Sequence, residues 1–224
     1  MAVGFLLEYA EWELMTIFAA VLGPAEAATW AVLGFVWKVF VESTTAGFGL
    51  AGEFRVSYLM GKGRAQLAKL ASYKIMFMGL VMALIMSTIF LSLINILPAF
   101  LTTDQTIQGM LTMLFPMTAL GNVTMTVGVI CWYLVGAQLR YPLATTIAII
   151  CSFGITLPLG AVFTVVLNFD LKGLLFSFIV GYMMCAMLMS TVLLMSDWDK
   201  LSETIRAKML AEGAEECSPD NVTR

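Results

Sequence analysis

The chain has 224 residues, of which 60% are hydrophobic and 12% charged, and its mean hydropathy is +0.92. This balance excludes an ordinary soluble domain, in which about 25% of the residues are charged. The net charge is only −3, and the sequence contains no histidine, which argues against imidazole relays, most zinc sites, the usual haem ligands and serine–histidine chemistry. We therefore expect a membrane protein that is not an enzyme and that needs no cofactor.

Six apolar segments are long enough to cross a bilayer, which takes about 20 helical residues. They cover residues 3–23, 27–50, 71–96, 107–134, 143–167 and 172–195. Each is expected to be a helix, because a helix satisfies its own backbone hydrogen bonds where water is absent. The predicted fold class is therefore an all-α, integral, multi-pass membrane protein with six transmembrane helices in one bundle.

The first segment, FLLEYAEWELMTIFAAVLG, carries three glutamates: Glu8, Glu11 and Glu13. An ionised carboxylate at the centre of a bilayer costs roughly 2.5–3.5 kcal/mol on insertion scales, so intramembrane acids usually have a function. On a helix Glu8 and Glu11 share one face, whereas Glu13 is displaced by about 140° from Glu8. We predict ion or proton coupling at Glu8 and Glu13, and we assign Glu11 a bystander's role. In the alternative interpretation, Glu8 and Glu11 lie at the membrane interface, wetted or paired with Lys38.

The second segment contains its own pair of charged residues, Lys38 and Glu42, one helical turn apart. An intrahelical ion pair is one interpretation of this spacing. A role in closing a transport cavity is the other. The connection that follows, residues 53–70, is basic and glycine-containing, and we predict that it enters the third helix as an amphipathic cytoplasmic segment that contacts anionic lipid.

The later part of the chain contains two intramembrane prolines and a polar tail. Pro116 and Pro158 fall within the fourth and fifth segments, where we expect kinks. After the last segment, SDWDKLSETIRAKM predicts a short amphipathic helix that is capped by Ser196 and anchored at the membrane interface by Trp198. The last residues, about ten, are expected to be disordered. The predicted domains are therefore 1–195, the transmembrane lobe, and 196–224, a cytoplasmic segment and disordered tail.

Basic residues are distributed unequally across the predicted membrane. Ten of the twelve lie on one side. They are Arg55, Lys62, Arg64, Lys69, Lys74, Arg140, Lys200, Arg206, Lys208 and Arg224. The positive-inside rule then places both the N- and C-termini in the cytoplasm.

Three stretches resemble eukaryotic MATE (multidrug and toxic compound extrusion) transporters. LEYAEWE, with Glu8 and Glu13 five residues apart, resembles the acidic start of that family's seventh helix, roughly E-x-W-x-x-E. Residues 46–71 look like the family's AxGxxxAxxxRVxNxLGAG segment, with the arginine–valine pair and two glycines in register. DLKGLLFSFIVG and SDWDK, within residues 170–200, are similar to the family's last helix and its TDWxK ending.

The resemblance implies one six-helix lobe of a MATE-like transporter, equivalent to its C-terminal half. It implies secondary active antiport that exports small organic cations or xenobiotics in exchange for H⁺ or Na⁺, with Glu8 and Glu13 binding the cation. The expected partners are the lipid bilayer, the cationic substrate and a second lobe or a homodimer, but no nucleic acid. The expected location is the plasma membrane or the membrane of a vacuole or other organelle.

The sequence departs from the family pattern at several positions. The family's eighth-helix acid falls near Gly34 or Phe35, and its tenth-helix acid falls near Asn122 or Thr124, which are polar but not ionisable. Asn122 and Thr124 therefore enter the candidate site only through the resemblance. Because one lobe alone is matched, the alternative function is a non-transporting, truncated or divergent half-transporter, either a partner subunit or an incomplete gene product.

Overall fold

The computed structural model describes residues 2–167 and 169–216. Within these ranges the structure describes the backbone but not the side chains of residues 2–8, 40–41, 43, 209 and 211–216. Residues 217–224, most of the predicted disordered end, also lie outside the described residues. Every regular element in the described ranges is helical.

The α-helices follow one another with few intervening residues. They are α1 (Ala2–Leu22), α2 (Pro24–Trp37), α3 (Ser43–Gly61), α4 (Ala65–Ser92), α5 (Leu97–Leu101), α6 (Gln105–Ala137), α7 (Tyr141–Cys151), α8 (Leu157–Ala161), α9 (Asp170–Met195) and α10 (Trp198–Glu216). π-Helical turns at Lys38–Glu42 and Ser152–Thr156 join α2 to α3 and α7 to α8, and a third, Val162–Val166, follows α8.

Four helical stretches in the described ranges are long and apolar enough to cross a membrane. They are Ala65–Ser92, Gln105–Ala137, Tyr141–Val166 and Asp170–Met195, which match the last four predicted segments. The first predicted segment forms α1, whose three glutamates reduce its apolar character, and the second is divided between α2 and α3 by a π-helical turn. The all-α prediction is confirmed, and the count of six spans stays a prediction.

The connection predicted over residues 53–70 is shorter in the structure, although its second part enters the next helix as expected. Helix α3 continues to Gly61 and α4 begins at Ala65, so most of this stretch is helical. The helix persists because Val56, Leu59 and Met60 remain buried on one face, while Tyr58 is exposed. The end of an apolar run therefore does not mark the end of the helix, because side-chain packing extends it further.

The two intramembrane prolines have different surroundings. Pro116 lies inside α6, which continues without a change of helix type. Pro158 lies in α8, which has π-helical turns on both sides. Proline removes a backbone donor and crowds the preceding turn, and a wider turn relieves both effects. The expected irregularity is therefore present at Pro158.

Helix α6 is the centre of the bundle. It packs against α3, α4 and α9, and it is the most buried of the four apolar spans. Buried side chains form two cores. The first core contains Trp30, Phe115 and Leu174, and the second contains Leu134 and Met189. The candidate site described below lies against the first core.

Helix α10 packs onto the second core, and two expectations for it are wrong. Trp198 is 2% exposed and lies within the second core, so its ring packs against protein and not against lipid. Asp197 caps the helix in place of Ser196, because its Oδ1 accepts a hydrogen bond of 3.2 Å from the Lys200 backbone N–H. The Ser196 hydroxyl instead donates to the Val192 carbonyl in the preceding helix at 2.7 Å.

One buried hydrogen bond fixes α10 to α3, and its removal gives a first prediction. Ser202, which is 3% exposed, donates to the Met60 carbonyl at 2.8 Å. We expect Ser202→Ala to destabilise the protein by about 1 kcal/mol. Circular dichroism in detergent should then show a melting temperature about 2–4 °C lower. Thr204→Ala, at an exposed position whose hydroxyl bonds within its own helix, is the control, and an equal shift in both variants would contradict the assignment.

Candidate functional site

A cavity of about 380 Å³ lies between α1, α2, the following π-helical turn, α6 and α9. Its volume is within the range of small-molecule sites, about 300–1,000 Å³. Glu13, Lys38 and Glu42 all line it, so the structure brings together three of the residues singled out from the sequence. Among the described charged residues of the lining there are thus two carboxylates and one ammonium.

Aromatic side chains supply much of the cavity wall. Tyr9 and Trp12 come from α1, Trp37 from α2, and Phe178 and Tyr182 from α9. Phe178 meets both indoles edge to face, with centroid distances of 5.6 Å and 5.5 Å. The wall therefore places aromatic rings beside carboxylates.

Packing behind the wall holds one of these rings in place. Trp12 stacks on Trp30 with ring centroids 4.8 Å apart and an interplanar angle of 17°. Gly34 makes this approach of α1 to α2 feasible, because a Cβ there would collide with the Trp12 ring. Trp30 itself is fully buried in the first core. Stacking on the buried Trp30 therefore holds the Trp12 ring in place.

Lys38 is positioned by Tyr9. Its Nζ donates a hydrogen bond of 3.1 Å to Tyr9 Oη and lies 4.3 Å from the centre of the Tyr9 ring. Lys38 and Glu42 are the first and last residues of a π-helical turn, which is wider than the α-helical turn expected from the sequence. Both side chains line the cavity.

Glu11 points away from the cavity into the interior of the lobe, and the bystander's role assigned to it from the sequence stays a prediction. The residue is 2% exposed, so it is buried within the protein and not wetted. Its Oε2 accepts a hydrogen bond of 2.7 Å from Ser152 Oγ in the turn after α7. Because Glu11 and Glu13 differ by about 200° around α1, one glutamate faces the interior of the lobe and the other faces the cavity.

The remaining predicted site residues lie outside the cavity or outside the description. The side chain of Glu8 is outside the described residues, although its backbone belongs to α1. Asn122 is buried and donates to the Ala83 carbonyl at 3.0 Å and to Ser87 Oγ at 2.8 Å. Thr124 donates to the Gly121 carbonyl within its own helix at 2.9 Å. The structure does not bring these last two residues to the cavity.

The contacts of Asn122 predict a stabilising role without a binding role. We expect Asn122→Ala to destabilise the protein by about 1–3 kcal/mol, because it leaves buried polar groups of α4 without their partner. The affinity for a cation in the cavity should stay the same. Thermal melting and fluorescence titration of a cationic dye measure the two effects, with exposed Asn95→Ala as the control. Loss of dye binding by the folded Asn122→Ala protein would contradict this role.

Sequence reasoning missed the aromatic wall. Tyr9 and Trp12 alternate with the acids in LEYAEWE, a local signal that could have identified them. Trp37 directly precedes Lys38 in the second segment. Phe178 and Tyr182 carry no local signal, because only the packing of α9 against α1 and α2 brings them to the cavity.

Comparison with known proteins places these features in a family. The MatE family model matches residues 1–162. Two Schizosaccharomyces pombe proteins are similar in sequence. "Uncharacterized transporter C4B3.13" is 26% identical over 196 residues, which are 88% of this chain and 36% of that protein. "Uncharacterized transporter C323.07c" is 24% identical over 202 residues, 90% of this chain and 38% of that protein.

A solved structure shares the fold. The crystal structure of the eukaryotic MATE transporter AtDTX14 superposes with a TM-score of 0.82 at 14% identity, over 92% of this chain and 46% of that one. This chain thus spans less than two-fifths of the length of the two yeast relatives. With the family model covering most of the chain, the conclusion is that this membrane protein belongs to the MATE transporter family.

Proposed function

We propose that this chain is a lobe of a secondary active antiporter that exports small organic cations or xenobiotics in exchange for H⁺ or Na⁺. One observation carries the proposal: the cavity of about 380 Å³ combines Glu13 and Glu42 with an aromatic wall. Family membership supports transport in general. The substrate class and the coupling ion are inferred from the chemistry of the cavity.

The cavity has the two features by which proteins hold organic cations. An aromatic face attracts a cation by about 0.5–1 kcal/mol at an exposed site and by about 2 kcal/mol or more when water is excluded. Carboxylates add charge attraction that strengthens as the local dielectric constant falls. An apolar cation satisfies both requirements, since its hydrocarbon parts pack on the rings while its charge faces Glu13.

Glu13 supports exchange between the substrate and a coupling ion. A carboxylate that holds H⁺ or Na⁺ offers less attraction to an organic cation, so the two compete for one site. We include Glu8 in this role because it precedes Glu13 by five residues in α1. Lys38 and Glu42 are proposed to close the cytoplasmic side of the cavity.

The cavity is open on one side, which is a reason to propose a second lobe. Tyr9 is 53% exposed and Phe35 is 61% exposed, so lining residues reach the surface of the chain. We propose that another lobe, or a second copy in the same orientation, covers this side. Six spans with both termini in the cytoplasm fit that arrangement, in the plasma membrane or in a vacuolar or other organelle membrane.

The direct test is efflux of ethidium, an aromatic cation, from proteoliposomes that contain the full chain. Either a proton gradient or a sodium gradient is imposed, with protein-free liposomes as the control. Gradient-dependent efflux above that control supports the proposal and identifies the coupling ion. Equal efflux with and without each gradient would contradict coupled transport.

The alternative of a non-transporting partner subunit predicts a different outcome of the same assay. Purified chain would bind ethidium, yet no gradient would drive efflux. This alternative is favoured by Asn122, which lies near the position where the family carries an acidic residue. Its neutral amide donates hydrogen bonds to α4. Binding without transport would assign the chain to this second function.

A further inference from the structure

A buried carboxylate lies in the lobe interior, separate from the cavity. Glu11 is 2% exposed, and its Oε2 accepts the hydrogen bond from Ser152. Its Oε1 is also buried and has no hydrogen-bond partner in the described part of the chain. Because an unpartnered buried ion is strongly disfavoured, this oxygen points to a ligand that neutralises the carboxylate.

Hydroxyl and thiol groups surround the Glu11 carboxyl. Ser152 begins the π-helical turn that also contains Thr156, and such turns are frequent at functional sites. Cys151 on α7 and Cys185 on α9 are the described titratable groups that face Glu11 from packed helices, and neither is a cation. On α1 the neighbouring titratable group is Glu8, whose side chain is outside the described residues.

We propose that Glu11 is a proton-binding site inside the lobe, distinct from the cation site in the cavity. A proton neutralises the carboxyl and occupies no additional space. A sodium ion would instead require several oxygen ligands, whereas two of the groups here are thiols. The packing is also tight, since a Cβ at Gly181 on α9 would overlap Thr156.

The position of Glu11 connects this proton to the proposed transport cycle, and this step rests on the proposed function. Loss of the proton leaves a charge near the Ser152 and Thr156 hydroxyls, the second of which donates to the Cys151 carbonyl. These two neutral groups do not replace full hydration of the ion, so α1 separates from the turn after α7 to admit water. Glu13 lies two residues further along the same helix and moves with it. Proton release in the interior and cation release in the cavity are thereby linked through α1.

Infrared spectroscopy tests the proton site without transport. The purified full chain in detergent at neutral pH should show the C=O stretch of a protonated carboxyl group. Glu11→Gln should remove this band, whereas Glu13→Gln and exposed Glu203→Gln should keep it. An unchanged band in folded Glu11→Gln would overturn the proposal, and so would loss of the wild-type band on replacing potassium with sodium at constant pH. If Glu11→Gln does not fold, Ser152→Ala replaces it and must shift the band frequency.

The two proposals fail in different ways. If ethidium efflux is absent but the infrared band depends on Glu11, the proton site stands and the transport proposal falls. If efflux depends on Glu13 and the band is unaffected by Glu11→Gln, the transport proposal stands and the proton site falls. In the coupled case, Glu11→Gln abolishes the dependence of efflux on the proton gradient.

Discussion

Replacing Glu13 with glutamine is expected to abolish gradient-driven ethidium efflux from proteoliposomes while the protein stays folded. Glu13 is an exposed side chain that lines the cavity, so an amide of nearly the same size fits without repacking. The substitution removes a charge from the cavity. A loss of about 1.4 kcal/mol of attraction would already weaken cation binding tenfold, and loss of the exchangeable charge should also stop coupling.

Two variants make this result specific to the cavity. Glu203→Gln removes one negative charge from the exposed surface of α10 and should leave efflux unchanged. Glu42→Gln removes the other carboxylate of the cavity and should reduce ethidium affinity in the same direction as Glu13→Gln. Equal efflux by wild type and Glu13→Gln would remove Glu13 from the mechanism.

The largest effect on stability is expected for Trp30→Ala. Trp30 is fully buried in the first core and stacks on Trp12. Truncating a buried tryptophan typically costs about 3–5 kcal/mol, because the surroundings only partly fill the space. For a chain of this length the melting temperature should fall by roughly 10 °C. Ethidium affinity should fall as well, because Trp12 loses the ring that supports it.

The matched control is Phe100→Ala in α5. Phe100 is 84% exposed, so its truncation opens no cavity and should change stability by less than about 0.5 kcal/mol. Circular dichroism melting of both variants in the same detergent measures the difference. Similar melting temperatures for Trp30→Ala and Phe100→Ala would contradict the assigned core.

Much of the fold could be predicted because hydropathy reports membrane helices directly. The predicted segments 107–134 and 172–195 lie within a few residues of α6 and α9. The second segment was less predictable, because α3 continues through polar residues that packing keeps helical. The burial of Trp198 was also not predictable. The apolar face of an amphipathic helix after the last span can contact either lipid or the bundle, and the sequence does not show that Trp198 packs in the second core.

The candidate site was predictable where local spacing determines it. Lys38 and Glu42 are near neighbours on one helical path, so their common location on the cavity follows from the sequence. The orientation of Glu11 was not predictable, because a helical wheel separates faces without stating which face meets α7 and α9. Asn122 was included only because it lies near the position of an acidic residue in the family. Its amide donates hydrogen bonds to α4 and does not reach the cavity.

The central claim is that the cavity recognises positive charge on an apolar ligand. The most direct measurement is ethidium fluorescence with the purified full chain, competed by benzyltrimethylammonium or by neopentylbenzene, its uncharged isostere. We predict that benzyltrimethylammonium displaces ethidium at a concentration at least about tenfold lower than neopentylbenzene does. In Glu13→Gln, the ratio of the two displacing concentrations should be smaller than in the wild type. Equal displacement by both compounds, with Glu13→Gln unchanged from wild type, would contradict the account.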